Sequence, residues 1–483
     1  MIELKEEFLS NMKELLKDDF GEFLAIYDKP FIKGLRVNTT KISLSAFSKL
    51  FPTMQDKIPY ANAFYLSGSD KLGSSPYHHA GLFYIQEPSA MQPALSTQIA
   101  PDSVVLDLCA SPGGKSGQIA EMLNESGLLV SNEIITARAK ILKENMDRLG
   151  YKNVIVTSTT PQNLTRLGNI FDIIILDAPC SGEGLFRREP EAMAQWNKGI
   201  NKMNSERQLE LLNLATNLLK PNGKIIYSTC TFSKTENEDV VAQFLQTHPT
   251  FTLGEINPAL LPYSFSLETQ TKQNEESKTN QSPNSQIDLN KLNSNLKRDL
   301  NKNQFNPQNL RRVMPHKNKG EGQFYAVLQD TQEPQIDNKK YDYLEPPKAS
   351  EKQIVADFIK KQTNLTNLKI KSYEGNILCP PQKEINTKSI FVLKYGINLG
   401  KIENKRFIPN HNFFTTLGNQ FKIIINLTTE EEVQKYLKGE QLETANTALS
   451  GYCTIAYNNF PLGGGKVSNG KINNLYPKYL RTP

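Results

Sequence analysis

At 483 residues the chain exceeds what one hydrophobic core usually organises, and a prior of about 150 residues per domain predicts roughly three units. Its hydrophobic fraction of 38% and mean hydropathy of −0.47 allow real cores, but no run approaches the ~18 to 20 apolar residues of a bilayer span, which excludes a transmembrane helix. The 56 Lys and Arg residues against 50 Asp and Glu leave a net charge of +6, too mild to demand a nucleic-acid partner and compatible with one.

In chain order, Glu6–Leu16 sets apolar residues at helical spacing among mixed charges, with no apolar signal-peptide core, so a cytoplasmic protein is expected. Gly34-Leu35-Arg36-Val37-Asn38 reads as a basic extended piece, and residues 1–99 as an α+β entry module whose pattern alone assigns it no role. From 101 to 248, short apolar runs at 104–106, 128–130, 154–156, 171–176 and 224–227 alternate with helical stretches. That alternation is the βαβ signature, and it places a Rossmann-like domain at 100–330. Gly150 ends a helix from Thr136, Ser205 with Gln208 and Ser233 with Glu236 read as capping boxes, and Lys220-Pro221-Asn222-Gly223 reads as a helix stop and turn. Residues 268–309 turn to Asn, Gln, Ser and Lys, too polar to bury a core, and are expected to be a flexible insertion. Gly320-Glu321-Gly322-Gln323-Phe324-Tyr325-Ala326-Val327-Leu328 restores a last strand of the catalytic sheet. Beyond Pro346, apolar runs at 390–393 and 421–425 and the turn at 461–466 predict an accessory domain at 346–425 and a small module at 426–483.

A candidate cofactor loop follows the run at 104–106. Asp107-Leu108-Cys109-Ala110-Ser111-Pro112-Gly113-Gly114-Lys115 passes from strand to glycine loop to helix, where backbone N–H groups lie open to a ligand. About twenty residues on, Glu133 ends the next strand and can hydrogen-bond ribose hydroxyls. Gly114-Lys115-Ser116 also resembles the end of a P-loop, but a complete P-loop needs glycine where Cys109 stands, and G-x-G-x-x-G is absent. An adenosyl cofactor without a pyrophosphate, S-adenosyl-L-methionine, fits best.

Five cysteines without a C-x-x-C pair argue against zinc and a disulfide framework, so no metal is expected and the thiols should be reduced. Two of them follow apolar strands: Cys180 in Asp177-Ala178-Pro179-Cys180-Ser181-Gly182 and Cys230 in Ser228-Thr229-Cys230-Thr231. Either alone reads most simply as a small buried hydrophobe. Together, beyond the carboxyl ends of parallel strands, they point into one crevice. Carbon 5 of cytosine is a poor nucleophile, and a thiolate adding at carbon 6 pushes electron density onto it. A second thiol can then assist release of the product. Arg187 and Arg188 beside the crevice are candidate phosphate contacts.

With these motifs the chain resembles the Nop/Sun family of RNA cytosine-5 methyltransferases, and within it the bacterial 16S ribosomal RNA enzymes of the RsmF type. Tyr84-Ile85-Gln86-Glu87-Pro88-Ser89-Ala90-Met91 is similar to the family's junction between N-terminal and catalytic modules. The resemblance implies an RRM-like N-terminal module, a methyltransferase core and a PUA-like RNA-binding tail. It also implies Cys230 as nucleophile and Cys180 as the residue that helps release product. Asp177 would contact the cytosine or the cofactor, while residues 109–115, Glu133 and Arg138 would hold S-adenosylmethionine. The chain departs from the pattern at Thr157-Ser158-Thr159-Thr160, which lacks an Asp many relatives carry, and at Gly464, where an aromatic residue is common. The expected partner is RNA bound by a monomer, with transfer RNA, a P-loop ATPase and a non-catalytic RNA-binding protein as the alternatives.

Overall fold

The computed structural model describes residues 4–66, 72–267, 305–334 and 344–482; residues 268–304 of the expected insertion lie outside the described residues. The chain opens with the helix Glu6–Leu16, whose Phe8, Met12 and Leu16 recur every fourth residue and are buried. This stripe faces away from the N-terminal sheet. It packs with Phe23 against Phe186, Trp196 and Phe232 of the catalytic domain, with Phe8 edge-on to Phe186 at 5.1 Å. Four antiparallel strands follow, β1 (Lys33–Val37), β2 (Lys57–Ile58), β3 (Ala63–Leu66) and β4 (Phe83–Gln86), in the order β2-β3-β1-β4. The basic piece read from the sequence is β1, and its charge is spent inside the molecule. Arg36 donates to Glu121 at 3.0 Å and to Gln86 at 3.4 Å, and Asn38 Nδ2 donates to the Leu149 carbonyl at 2.9 Å. Both residues fasten the N-terminal sheet to helices of the catalytic domain.

The catalytic domain is built on β5 (Val104–Asp107), β6 (Leu128–Asn132), β7 (Val154–Thr157), β8 (Phe171–Asp177) and β9 (Leu219–Thr229), all parallel and in the spatial order β9-β8-β5-β6-β7. They read as continuous apolar runs because both faces are covered, as parallel sheets require. β10 (Phe251–Leu253), β11 (Arg311–Val313) and β12 (Gln323–Asp330) extend the sheet, with β12 antiparallel to β9. Chain order reverses between β5 and β8, which opens a crevice beyond the carboxyl ends of these strands.

C-terminal to this domain come β13 (Lys371–Tyr373), β14 (Asn376–Cys379), β15 (Val392–Tyr395), β16 (Ile397–Glu403) and β17 (Arg406–Pro409). Four of them form a separate sheet, whereas β15 pairs antiparallel with β7 and completes the far edge of the catalytic sheet. Lys394 on β15 is buried with its ammonium 2.7 Å from Asp147. The tail holds β18 (Ile424–Leu427), β19 (Leu442–Glu443), β20 (Gly451–Tyr457), β21 (Phe460–Ser468) and β22 (Lys471–Asn474), in the order β18-β20-β21-β22-β19. A Cβ at Gly464 would lie 2.3 Å from the Phe414 ring, so the aromatic group at this place comes from the helix His411–Leu417 instead.

Two capping expectations are not met. The helix Lys198–Thr216 starts about two turns before Ser205 and is capped by Asn197, whose side chain accepts from the Ile200 N–H. The next helix begins at Glu238, five residues after Ser233. The delay follows from what residues 236 and 237 do: Glu236 is drawn under the cysteine loops, and Asn237 bonds Thr229 and the Thr231 carbonyl.

Candidate active site

The crevice has a cofactor side. β5 ends at Asp107, which is fully buried; Oδ2 accepts from Ser116 Oγ at 2.6 Å, while Oδ1 has no protein partner. Burial pushes this carboxyl up to about 7. The following loop is held from below by the Ala110 N–H on the Asn132 carbonyl at 2.8 Å and by Asn145 Nδ2 on the Pro112 carbonyl at 2.9 Å. Gly113 has φ of +111°, and a Cβ there would press within 2.9 Å of Leu142 and Met146, so glycine is required where the loop turns into the helix Gly114–Met122. Cys109 lies within this loop, partly buried against the core, its thiol pushed far up by burial. Arg138 donates to the Ser111 carbonyl at 3.2 Å and sits 3.5 Å from Glu133, whose buried carboxylate also accepts from the Ile135 N–H. Glu133, Arg138 and the glycine loop therefore meet at one end of the crevice. In the stretch without an Asp, Ser158 Oγ lies 3.1 Å from Thr136 Oγ1.

These groups fit S-adenosylmethionine. The orphaned Asp107 oxygen, the N–H groups of the first helical turn and the acidic Glu133 supply acceptors and donors for a ligand carrying an ammonium, a carboxylate and ribose hydroxyls.

The other side carries the thiols. β8 and β9 run parallel with Asp177 opposite Ser228, so the loops after them emerge together. Cys180 Sγ and Cys230 Sγ are 3.3 Å apart, both free and both half-buried. The hydrogen bond to Cys230, and burial after it, push the Cys180 thiol well up, so Cys180 keeps its proton at neutral pH. Asp177 stands between the two sides. Lys115 Nζ reaches its Oδ2 at 2.7 Å, while Ser228 Oγ at 2.7 Å and Gln323 Nε2 at 3.2 Å reach its Oδ1. Lys115 is nearly buried, which alone would lower its pKa; Asp177, Asp107 and the Cys230 sulfur together raise it, so it is a fixed cation beside Cys230. That turn onto Asp177 also takes the lysine away from any phosphate nest.

Under the cysteine loops lies a polar network without a signal in the local sequence. Asn201 Nδ2 donates to Glu183 at 2.9 Å and to Glu236 at 2.8 Å, Gln208 Nε2 bonds Glu236 and the Pro179 carbonyl, and the Ser181 N–H donates to Glu236 at 2.9 Å. Glu183 also takes the Trp196 indole N–H and the Phe232 N–H, both at 3.0 Å. Burial raises both carboxyls. Sequence reasoning gave Gln208 and Glu236 only helix-capping roles and gave Glu183, Asn201, Ser228 and Gln323 none, because nothing local marks a polar residue as buried. Of the two arginines expected on phosphate, Arg187 turns its side chain inward and donates through Nε to Glu321 at 2.9 Å, and Arg188 is exposed beside its neighbour Glu189.

Comparison with known proteins finds matches along most of the chain. Residues 94–329 match the family model for 16S rRNA methyltransferase RsmB/F, residues 4–88 the N-terminal domain of 16S rRNA methyltransferase RsmF, and residues 427–482 the methyltransferase RsmF PUA domain. Ribosomal RNA small subunit methyltransferase F of Enterobacter sp. (strain 638) is 29% identical over 497 residues, spanning 98% of this chain and 95% of that protein. The protein of the same name from Escherichia coli (strain SMS-3-5 / SECEC) is 28% identical over 503 residues, spanning 98% and 96%. Among solved structures, a methyltransferase homolog protein from Pyrococcus horikoshii aligns with TM-score 0.52 at 26% identity over 68% of this chain and 96% of its own. NSun6 from the same organism shares the fold at TM-score 0.53 and 20% identity, over 68% and 99%. The chain belongs to the RsmB/F family of S-adenosylmethionine-dependent 16S rRNA methyltransferases, with the flanking domains of its RsmF type.

Proposed function

We propose that this protein methylates carbon 5 of a cytosine in 16S ribosomal RNA through a covalent bond between Cys230 and carbon 6. The observation that carries the reading is the pair of thiols 3.3 Å apart at the switch-point crevice, next to a cradle suited to an adenosyl ligand. Cys230 adds as thiolate to carbon 6, and the ring electrons move toward carbon 5. The Lys115 ammonium, held on Asp177 at 2.7 Å, is a fixed positive charge on this side of the crevice. Asp107, residues 109–115 and Glu133 would hold S-adenosylmethionine, which would supply the electrophilic methyl group and leave as S-adenosylhomocysteine. The proton on carbon 5 then leaves to a base, its bonding pair restores the double bond, and the Cys230–carbon 6 bond breaks with both electrons on sulfur. Cys180 still carries its proton and donates it toward that departing sulfur, which lowers the cost of the released charge.

An RNA base must leave its stack to reach such a crevice, so an exposed or flipped cytosine is the expected target. Cys230→Ala should abolish methylation. Cys180→Ala should accumulate a protein-RNA adduct that survives a denaturing gel. Full turnover by Cys230→Ala would overturn the mechanism. Bisulfite sequencing of 16S and transfer RNA from cells lacking the gene reads the substrate directly; loss of a methylcytosine from transfer RNA alone would replace the ribosomal assignment.

A further inference from the structure

Gln323 opens β12, and the register carried one step past Phe324↔Thr229 sets it across from Cys230. Facing residues of an antiparallel pair stand on the same side of the sheet, with Cβ atoms about 4.5 to 5.5 Å apart. Tyr325↔Ser228, the neighbouring pair on that side, brings Ser228 into the same row. Gln323 and Ser228 converge on a single atom, Asp177 Oδ1, while Lys115 takes Oδ2. A carboxylate has about four acceptor positions. These three bonds fill both positions on Oδ1 and one on Oδ2, leaving a single position on the oxygen shared with Lys115. Gln323 is 3% exposed and the Asp177 side chain 32%, so a fixed amide backs a carboxylate that opens on the crevice.

We infer that Gln323 is a positioning residue for base recognition: by occupying Oδ1 it holds Asp177 with one free acceptor for the exocyclic amine of the pyrimidine that Cys230 attacks. This rests on the reading of Cys230 as nucleophile. An amino N–H is the matching donor for that acceptor, and a base carrying a carbonyl there would meet lone pair against lone pair.

The test is Gln323→Leu, which keeps the bulk and removes the donor. Its kcat for RNA methylation should fall about ten- to one-hundred-fold, the worth of one hydrogen bond to a charged group. The KM for RNA should move little, because contacts remote from the base dominate it. Calorimetric affinity for S-adenosylhomocysteine should also hold, showing an intact cradle. Gln323→His restores an N–H donor and should recover most of the rate. In a Cys180→Ala background the Leu substitution should slow adduct formation by the same factor as kcat. Methylation by Gln323→Leu within about twofold of the parent refutes the inference, as does a loss that appears only together with lost S-adenosylhomocysteine binding. If the Cys180→Ala parent forms no adduct at all, the covalent mechanism fails instead, and the kcat comparison still decides the role of Gln323.

Discussion

Arg312 on β11 offers the sharpest test of how the active-site loop is held. Its guanidinium is 1% exposed and donates through Nε and Nη2 to the two oxygens of Glu238, itself 8% exposed, at 2.7 and 2.6 Å. Nη1 donates to the Phe232 carbonyl at 2.8 Å, two residues after Cys230. Arg312→Met leaves Glu238 buried without its partner, a change that costs about 3 to 5 kcal/mol. Glu238 is the first residue of the helix Glu238–Thr247, where the helix dipole returns about 0.3 to 1 kcal/mol, so a net loss of about 2 to 5 kcal/mol is expected. At about 2 to 4 °C per kcal/mol for a domain of this size, Tm falls by about 4 to 20 °C. Combining Arg312→Met with Glu238→Leu removes the stranded charge and should recover at least half of the loss, since an apolar replacement of a buried pair is often neutral. The single tryptophan, Trp196, shares a packed cluster with Phe232 and reports unfolding of this region by fluorescence. A loss below about 1 kcal/mol in the single variant, or a double variant less stable than the single, would refute this account of the pair.

Two further predictions concern Asp107 and Lys115. Asp107 titrates at about 7 in the fold against an ordinary 3.8, so the stability it permits is full below 3.8 and is lost as pH rises to about 7, on the order of 4 kcal/mol in all. Asp107→Asn cannot ionise; its ligand-free Tm should match the parent near pH 4, exceed it at pH 8, and be accompanied by weaker S-adenosylhomocysteine binding, whereas a pH-independent difference would remove burial as the cause. Lys115→Met removes the cation that holds Asp177 Oδ2 at 2.7 Å; the methylation rate should fall about tenfold or more, the worth of one charged hydrogen bond, and an unchanged rate would show that Lys115 does not position Asp177.

What the sequence shows about this fold follows from periodicity. The runs at 104–106, 128–130, 154–156 and 171–176 are apolar because they are covered on both faces, and each is a strand of the catalytic sheet. Cys180 and Cys230 were readable as a pair because each follows such a run, and parallel strands fix where their carboxyl ends lie. Partners across the sheet were not readable. Gln323 reaches Asp177 from 146 residues away, and Arg312 meets Glu238 from 74. Capping patterns failed for the same reason: Ser233 and Glu236 have the right spacing, but a buried network offers Glu236 better partners than a helix end does. β15 was equally hidden, because an edge strand supplied by a later segment has the same apolar look as one in its own sheet.

The same long-range logic explains why the N-terminal module and the loop before β12 belong to one device. Glu87 accepts the Ser89 and Ala90 N–H groups at 3.0 and 2.8 Å and the Glu321 N–H at 2.8 Å, while the Gly322 N–H donates to Ser89 Oγ at 3.1 Å. Glu321 in turn binds Arg187, which donates to the Ile26 carbonyl at 3.0 Å. Three distant segments thus converge on the two residues that immediately precede Gln323. Gly320 and Gly322 leave no room for side chains there: a Cβ at Gly320 would lie 2.8 Å from Glu87 Oε1, and one at Gly322 2.4 Å from the Phe232 ring. The register of β12 against β9, and with it the placement of Gln323 opposite Cys230, is therefore set by the junction with the N-terminal module and by the cysteine loop.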